Sequence, residues 1–218
     1  MTCSSSDPRD PAAAPGRYPV PARIHRFEET IRASRFLTLL AHAPDADAAH
    51  AFIERVRGEH PDATHHCWAF VAGPPGSTAA IGMSDAGEPH GTAGRPMLTA
   101  LLHGGVGEIV AVCARWYGGT KLGTGGLARA YAGGVKGALA SLPTVERVER
   151  VPLRVTVGYA HVDAVQRLLD ELEAVVTGEA YGADVRYGVD VPAARVAELE
   201  GRLADITRGE AALEADEA

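Results

Sequence analysis

Three observations on this 218-residue sequence predict an α+β fold in two domains. Its 46% hydrophobic and 22% charged residues are ordinary for a packed globular protein. No parallel β-α-β unit follows its glycine-rich middle, and from residue 150 the order condenses to β-α-β-β-α with a final strand near 210–213, as in a ferredoxin-like half-sandwich. Charge divides at the same place, with 13 Lys+Arg against 12 Asp+Glu in residues 1–145 and 8 against 16 in residues 146–218. The expected boundaries are a disordered tail over 1–20, an N-terminal domain over 21–145, a C-terminal domain over 146–213 and an acidic tail over 214–218.

The first 21 residues are rich in Ser, Pro and Ala and have no apolar period that could bury a face. Residues 24–30 read as an edge strand and 34–41 as a clearer one. A helix follows over 45–58, with Asp45 or Asp47 as its N-cap and Ala48, Phe52 and Val56 on one face. Strands are expected at 65–72 and around 78–83, then a loop over 84–94. Pro96 suits the first position of a helix running to His103, where its missing N–H is not needed. Residues 108–114 form a buried strand with Arg115 at its end. In a helix over 125–142, Leu127, Tyr131, Val135, Ala138 and Leu142 face inward and Arg129, Gly133 and Lys136 outward. The C-terminal segments are expected at 151–158, 161–173, 175–181, 184–190 and 192–206.

Fifteen of the 25 glycines lie between Gly82 and Gly137, concentrated in the runs GEPHGTAGRP (87–96) and RWYGGTKLGTGG (115–126). Glycine clustered at turns marks backbone with φ > 0 or in close approach, either to a ligand or to another part of the fold. Between Pro89 and Val145 the charges are Arg95, Arg115, Lys121, Arg129 and Lys136 against Glu108 alone, a local excess of +4. Glycine-flanked N–H groups before a helix, its dipole and these cations together form an anion-binding arrangement. The candidate anion or RNA ligands are Arg95, Arg115, Tyr117, Gly118, Gly119, Lys121, Gly123, Gly125 and Arg129. Glu88, His90 and Thr92 support them from the first loop, with an anion-orienting or capping role for Glu88 and Thr92. Trp116 and Tyr117 read either as a stacking face for a base or as core aromatics.

Other chemistries fit less well. The run 123–128 has the loose form G-x-G-x-x-[GA], but the strand before it ends near residue 114, too early for a dinucleotide site. Lys121 lacks the glycine spacing and following Ser or Thr of a P-loop. Ser84, Asp85, Glu88 and His90 share one loop, which does not by itself create a nucleophile, base and orienter. His66 and Cys67, next to His60 and His65, point to opposite faces of a strand and have no second ligand cluster. No cofactor, metal or catalytic residue is therefore assigned. Cys3, Cys67 and Cys113 form no C-x-x-C pair, which fits a reducing cytoplasm. There is no basic start followed by an apolar run and no stretch near the roughly 18 apolar residues of a membrane span.

The runs GVGEIVAVCARWYGGTKLG (105–123) and SDAGEPHGTAG (84–94), the strand start at Ser34 and the turn HPDA (60–63) resemble the YigZ/IMPACT family, in its two-domain bacterial form, over about residues 18–210. Ala86 and His90 depart from the expected acidic and small residues. The resemblance implies an N-terminal domain of the ribosomal-protein kind, like the fourth domain of elongation factor G, and a ferredoxin-like C-terminal domain similar to that factor's fifth. Eukaryotic members are translation regulators that compete for the ribosome-associated activator of an amino-acid-starvation kinase. The sequence is accordingly read as a non-enzymatic cytosolic regulator of translation or stress response that binds RNA or the ribosome through its basic glycine-rich surface. The alternatives are an enzyme for a small phosphorylated or nucleotide substrate using Glu88 or His90, and an adaptor whose acidic C-terminal domain docks a protein partner.

Overall fold

The computed structural model describes residues 16–216. The described chain divides into two units, the first comprising residues 18–146 and the second residues 16–17 with those from Arg147 onward. The first is built on β2 (His25–Ile31), β3 (Ser34–His42), β4 (His65–Val71), β5 (Ile81–Ser84) and β6 (Ile109–Trp116). These form an antiparallel five-stranded sheet in the order β2-β3-β6-β4-β5, with β6 at its centre. The runs in β3 and β6 are apolar at nearly every position because both faces of the sheet are covered. Leu37, Leu39, Val110 and Val112 pack with Phe52, Ile53 and Val56 of helix α1 (Ala46–Glu59). Phe36, Leu40, Ile109, Ala111 and Cys113 pack on the other face with α2 (Gly94–Leu102) and α3 (Thr124–Ala140). Of the two candidate N-caps of α1 it is Asp45 that accepts the Ala48 N–H, at 2.7 Å.

Three expectations change. Residues 1–15 of the predicted tail lie outside the described residues, but Arg17–Pro21 is a strand, β1, paired in a two-stranded ribbon with β7 (Thr144–Val148). Val20 and Pro21 are buried there, although no period announced them. At the other end, the predicted acidic tail begins inside β11 (Ala212–Ala215), so Glu214 and Ala215 are strand residues. Pro96 is the third residue of α2, which starts at Gly94; the missing N–H still falls among the first four, which have no partner within a helix.

The second unit runs β8 (Arg150–Val157), α4 (Val162–Glu171), β9 (Val175–Tyr181), β10 (Val185–Pro192), α5 (Val196–Thr207) and then β11. The order β11-β8-β10-β9, antiparallel throughout, is that of a ferredoxin-like half-sandwich. Val155, Val157, Val185, Tyr187 and Val189 pack on Val165, Leu168, Leu169, Leu199 and Leu203.

Helix α3 carries Arg129, Gly133 and Lys136 on its exposed side, as its period predicts. Gly134 and Gly137 face inward. A Cβ on Gly137 would come within 2.5 Å of the Phe27 ring, and one on Gly134 within 2.6 Å of Thr38 Oγ1, so these two positions let the helix lie close on β2 and β3. Opposite signs are therefore expected for two alanine substitutions in one helix. Gly133→Ala, whose Cβ would meet nothing nearer than 3.9 Å, gains about 0.5–1 kcal/mol from helix propensity. Gly137→Ala loses about 1–3 kcal/mol to overpacking. Urea unfolding followed by tryptophan fluorescence measures both, since Trp68 and Trp116 are the only tryptophans and both lie in the first unit.

Candidate anion-binding face

The side-chain period of two along β6 places Arg115 on the same face as Ile109, Ala111 and Cys113, which α2 and α3 cover. Its guanidinium is thereby buried, and it needs a carboxylate. Glu88, from the 84–94 loop, supplies one: Arg115 Nη1 donates to Glu88 Oε1, with the side chains 5% and 4% exposed. The same oxygen accepts from the Tyr131 hydroxyl of α3 at 2.8 Å. Burial pushes the Tyr131 hydroxyl far above its ordinary pKa, so it stays a protonated donor. Arg115 Nη2 donates to Ser34 Oγ at 3.3 Å, and Ser34 Oγ also accepts the Gly118 N–H at 3.2 Å. The two glycine-rich loops are thus joined by a buried polar network.

The first loop is closed by a second carboxylate. Asp85 accepts the backbone N–H groups of Gly91 at 2.7 Å and of Ala93 and Gly94 at 2.9 Å, which also caps the start of α2. Partial burial alone would raise the Asp85 carboxyl; the three N–H bonds and the nearby His90 outweigh it and hold the pKa below its ordinary value. The second loop owes one glycine to packing and another to conformation. A Cβ on Gly118 would lie 1.9 Å from the Ala33 carbonyl oxygen, at the tip of the β2–β3 hairpin. Gly123, at the N-cap of α3, has φ 77°.

Around this buried frame stand cations facing solvent. Arg95 and Lys136, from α2 and α3, line one hollow of about 320 Å³ together with His103. Arg129 lines another, of about 210 Å³, with Arg32 at the hairpin tip. Lys121 and Tyr117 are exposed on the loop between β6 and α3. None of Arg32, Arg95, Lys121, Arg129 and Lys136 has a carboxylate partner among the described residues.

Several site assignments move accordingly. Arg115, expected to face the anion, is an interior residue neutralised by Glu88. Glu88 is expected to cap or to orient an anion; Asp85 does the capping and Glu88 holds Arg115. Thr92 is buried and closes the loop by donating to the Pro89 carbonyl at 2.6 Å. His90 is fully exposed, 3.8 Å from Asp85. Gly119, φ 85°, and Gly125, in the first turn of α3, are both exposed, and a Cβ on Gly119 would meet nothing within 4 Å. Trp116 offers no open stacking face of the kind considered, because Arg35 lies 4.3 Å from its ring centre and its Nε1 donates to Asp62 at 2.8 Å. His65 and His66 are each within hydrogen-bond reach of a backbone carbonyl, at 3.0 and 2.9 Å. Among the described residues no group of three or more His, Cys, Asp or Glu is placed to hold a metal. Cys67 and Cys113 are free, buried thiols, and burial pushes Cys113 up to about 12. Arg32 and His103 escape a reading of the sequence. Arg32 has φ 46° without the usual Gly or Asn signal of a hairpin turn.

Fold and site together define a two-unit α+β protein whose first unit carries exposed cations on α2, α3, the loop between β6 and α3 and the β2–β3 hairpin tip. Residues 32–139 match the family model described as the Impact N-terminal domain, and residues 155–210 match a domain of unknown function, DUF1949. The chain is 47% identical over 190 residues, 87% of its own length and 93% of the relative's, to the IMPACT family member YigZ of Escherichia coli (strain K12). It is 40% identical over 192 residues, 88% and 93% of the two lengths, to an IMPACT family member of Haemophilus influenzae. A solved crystal structure of a hypothetical protein matches at TM-score 0.68 and 46% identity, covering 93% of this chain and 98% of that one. The chain belongs to the IMPACT family.

Asp85 generates a pH-dependent expectation. Its folded-state pKa is below the unfolded one, so its contribution is complete above the ordinary aspartate range and is lost as pH falls through the folded value. Asp85→Asn, which replaces charge-assisted hydrogen bonds by neutral ones and turns an NH2 toward a backbone N–H, should cost about 1–2 kcal/mol at neutral pH. The gap to the parent protein should close as pH drops below about 3.9. Urea titrations across that range check it.

Proposed function

We propose that the protein is a non-enzymatic regulator of translation or stress response that binds the phosphate backbone of RNA, ribosomal RNA included, through the cationic face of its first unit. One observation carries this reading. Arg32, Arg95, Lys121, Arg129 and Lys136 stand exposed without a carboxylate partner among the described residues, and four of them line two hollows beside α3, Arg32 with Arg129 and Arg95 with Lys136. Unpaired cations spread over two helices, a loop and a hairpin tip suit a string of phosphates, each cation releasing condensed counterions on binding. Tyr117, 45% exposed with Arg115 5.5 Å from its ring centre, offers an aromatic edge or open face to a base.

The enzymatic alternative loses its carboxylate, because Glu88 is buried and committed to Arg115 and Tyr131. A general acid or base must reach the substrate's proton. The second unit is left to a protein partner in this reading: β9 is an edge strand, exposed along its length, and presents Val175, Val176 and Tyr181. Among the described residues no helix is long and apolar enough to cross a membrane; a cytoplasmic site of action belongs to the proposal.

Binding of a single-stranded RNA oligomer, measured against salt, should weaken steeply. Arg95→Ala, Lys121→Ala, Arg129→Ala and Lys136→Ala should each reduce the log–log slope by about 0.7. No affinity at low salt, or an unchanged slope when all four are replaced, would contradict the proposal.

A further inference from the structure

A second cluster of polar side chains lies at the opposite end of β6 from Arg115. Glu108, just before the strand, is 6% exposed and held at φ 47°, a left-handed backbone that a residue with a side chain rarely adopts. Its carboxylate accepts the Tyr18 hydroxyl at 2.8 Å on one oxygen, and the other lies 2.6 Å from His42 Nε2. That contact fixes a proton on Nε2 and holds the imidazole ring in one orientation.

His42 in turn lines a shallow, open hollow of about 540 Å³. The walls include Pro21, Ile24 and Phe52, and the charged side chains lining it are Arg23 and Arg55. Arg55 is paired with Glu59 at 2.7 Å, as His42 is with Glu108 at 2.6 Å. Arg23 has no carboxylate partner among the described residues. Arg23 is thus a cation of the hollow left without a carboxylate among the described residues, beside an apolar wall.

We propose that this hollow binds a small organic anion, its head group held by Arg23 and its ring-sized apolar body against Phe52, Pro21 and Ile24. The ligand class is a carboxylate or phosphate ester of a compact apolar group. The site uses none of the residues proposed for RNA and stands or falls independently of them.

The test is NMR titration of the full chain with benzoate and with phenyl phosphate, using acetate and benzyl alcohol as probes that lack the body or the charge. Saturable shifts centred on His42, Ala51 and Phe52 are expected from at least one of the first two, and whichever binds identifies the head group. Arg23→Gln should weaken that binding about tenfold, while Arg129→Gln should leave it unchanged. Arg23 is exposed, so its replacement reads binding without disturbing the core. Shifts centred elsewhere or absent, binding of acetate or benzyl alcohol as tight as that of the two anions, or an Arg23→Gln affinity within about twofold of the parent would overturn the proposal.

Discussion

A buried guanidinium must have a partner, and in this protein that requirement organises the whole cationic face. Removing an ion pair from water is costly, and the arrangement persists only if geometry and further hydrogen bonds compensate. Arg115 meets Glu88, Glu88 receives the Tyr131 hydroxyl, and Ser34 bridges Arg115 to the Gly118 N–H. The partners come from the sheet, the 84–94 loop, α3 and the 115–126 loop. Fixing them fixes the segments that carry Arg95, Lys121, Arg129 and Arg32. The function proposed for the surface therefore rests on an interior contact that no ligand touches.

The same pair changes how charge is counted. Residues 1–145 hold a near balance of 13 basic and 12 acidic side chains, within which residues 89–145 carry a local excess of +4. Burial sorts them. Glu88 is spent on Arg115 and Asp85 on backbone N–H groups, while the cations of α2 and α3 stay outside without partners. At physiological ionic strength the screening length is about 8 Å, so neighbouring exposed cations act together on a polyanion while distant acidic residues matter little.

Most of the fold is legible in the sequence because its signals are local: the continuous apolar runs of β3 and β6, the Asp45 cap, the 3.6-residue period of α3 and the β-α-β-β-α order after residue 150. The strand β1 is not, since RYPVP has no alternation to distinguish it from a tail and is defined by pairing with β7, over a hundred residues away. In the site, the outward placement of Arg129 and Lys136 follows from helical period. The inward placement of Arg115 is half readable, from its parity with Ile109, Ala111 and Cys113; what stays hidden is that helices cover that face. The division of labour between Asp85 and Glu88 depends on how a loop folds back, which sequence spacing does not reveal.

If the cationic face depends on its interior, Glu88 and Arg115 must act as one unit. A double-mutant cycle with Glu88→Gln, Arg115→Met and both together, followed by tryptophan fluorescence in urea, measures that directly. Each single substitution should cost about 3–5 kcal/mol, since it strands a buried group. The double should cost clearly less than their sum, with a coupling of at least about 2 kcal/mol. Two single losses below about 1 kcal/mol that simply add would contradict it.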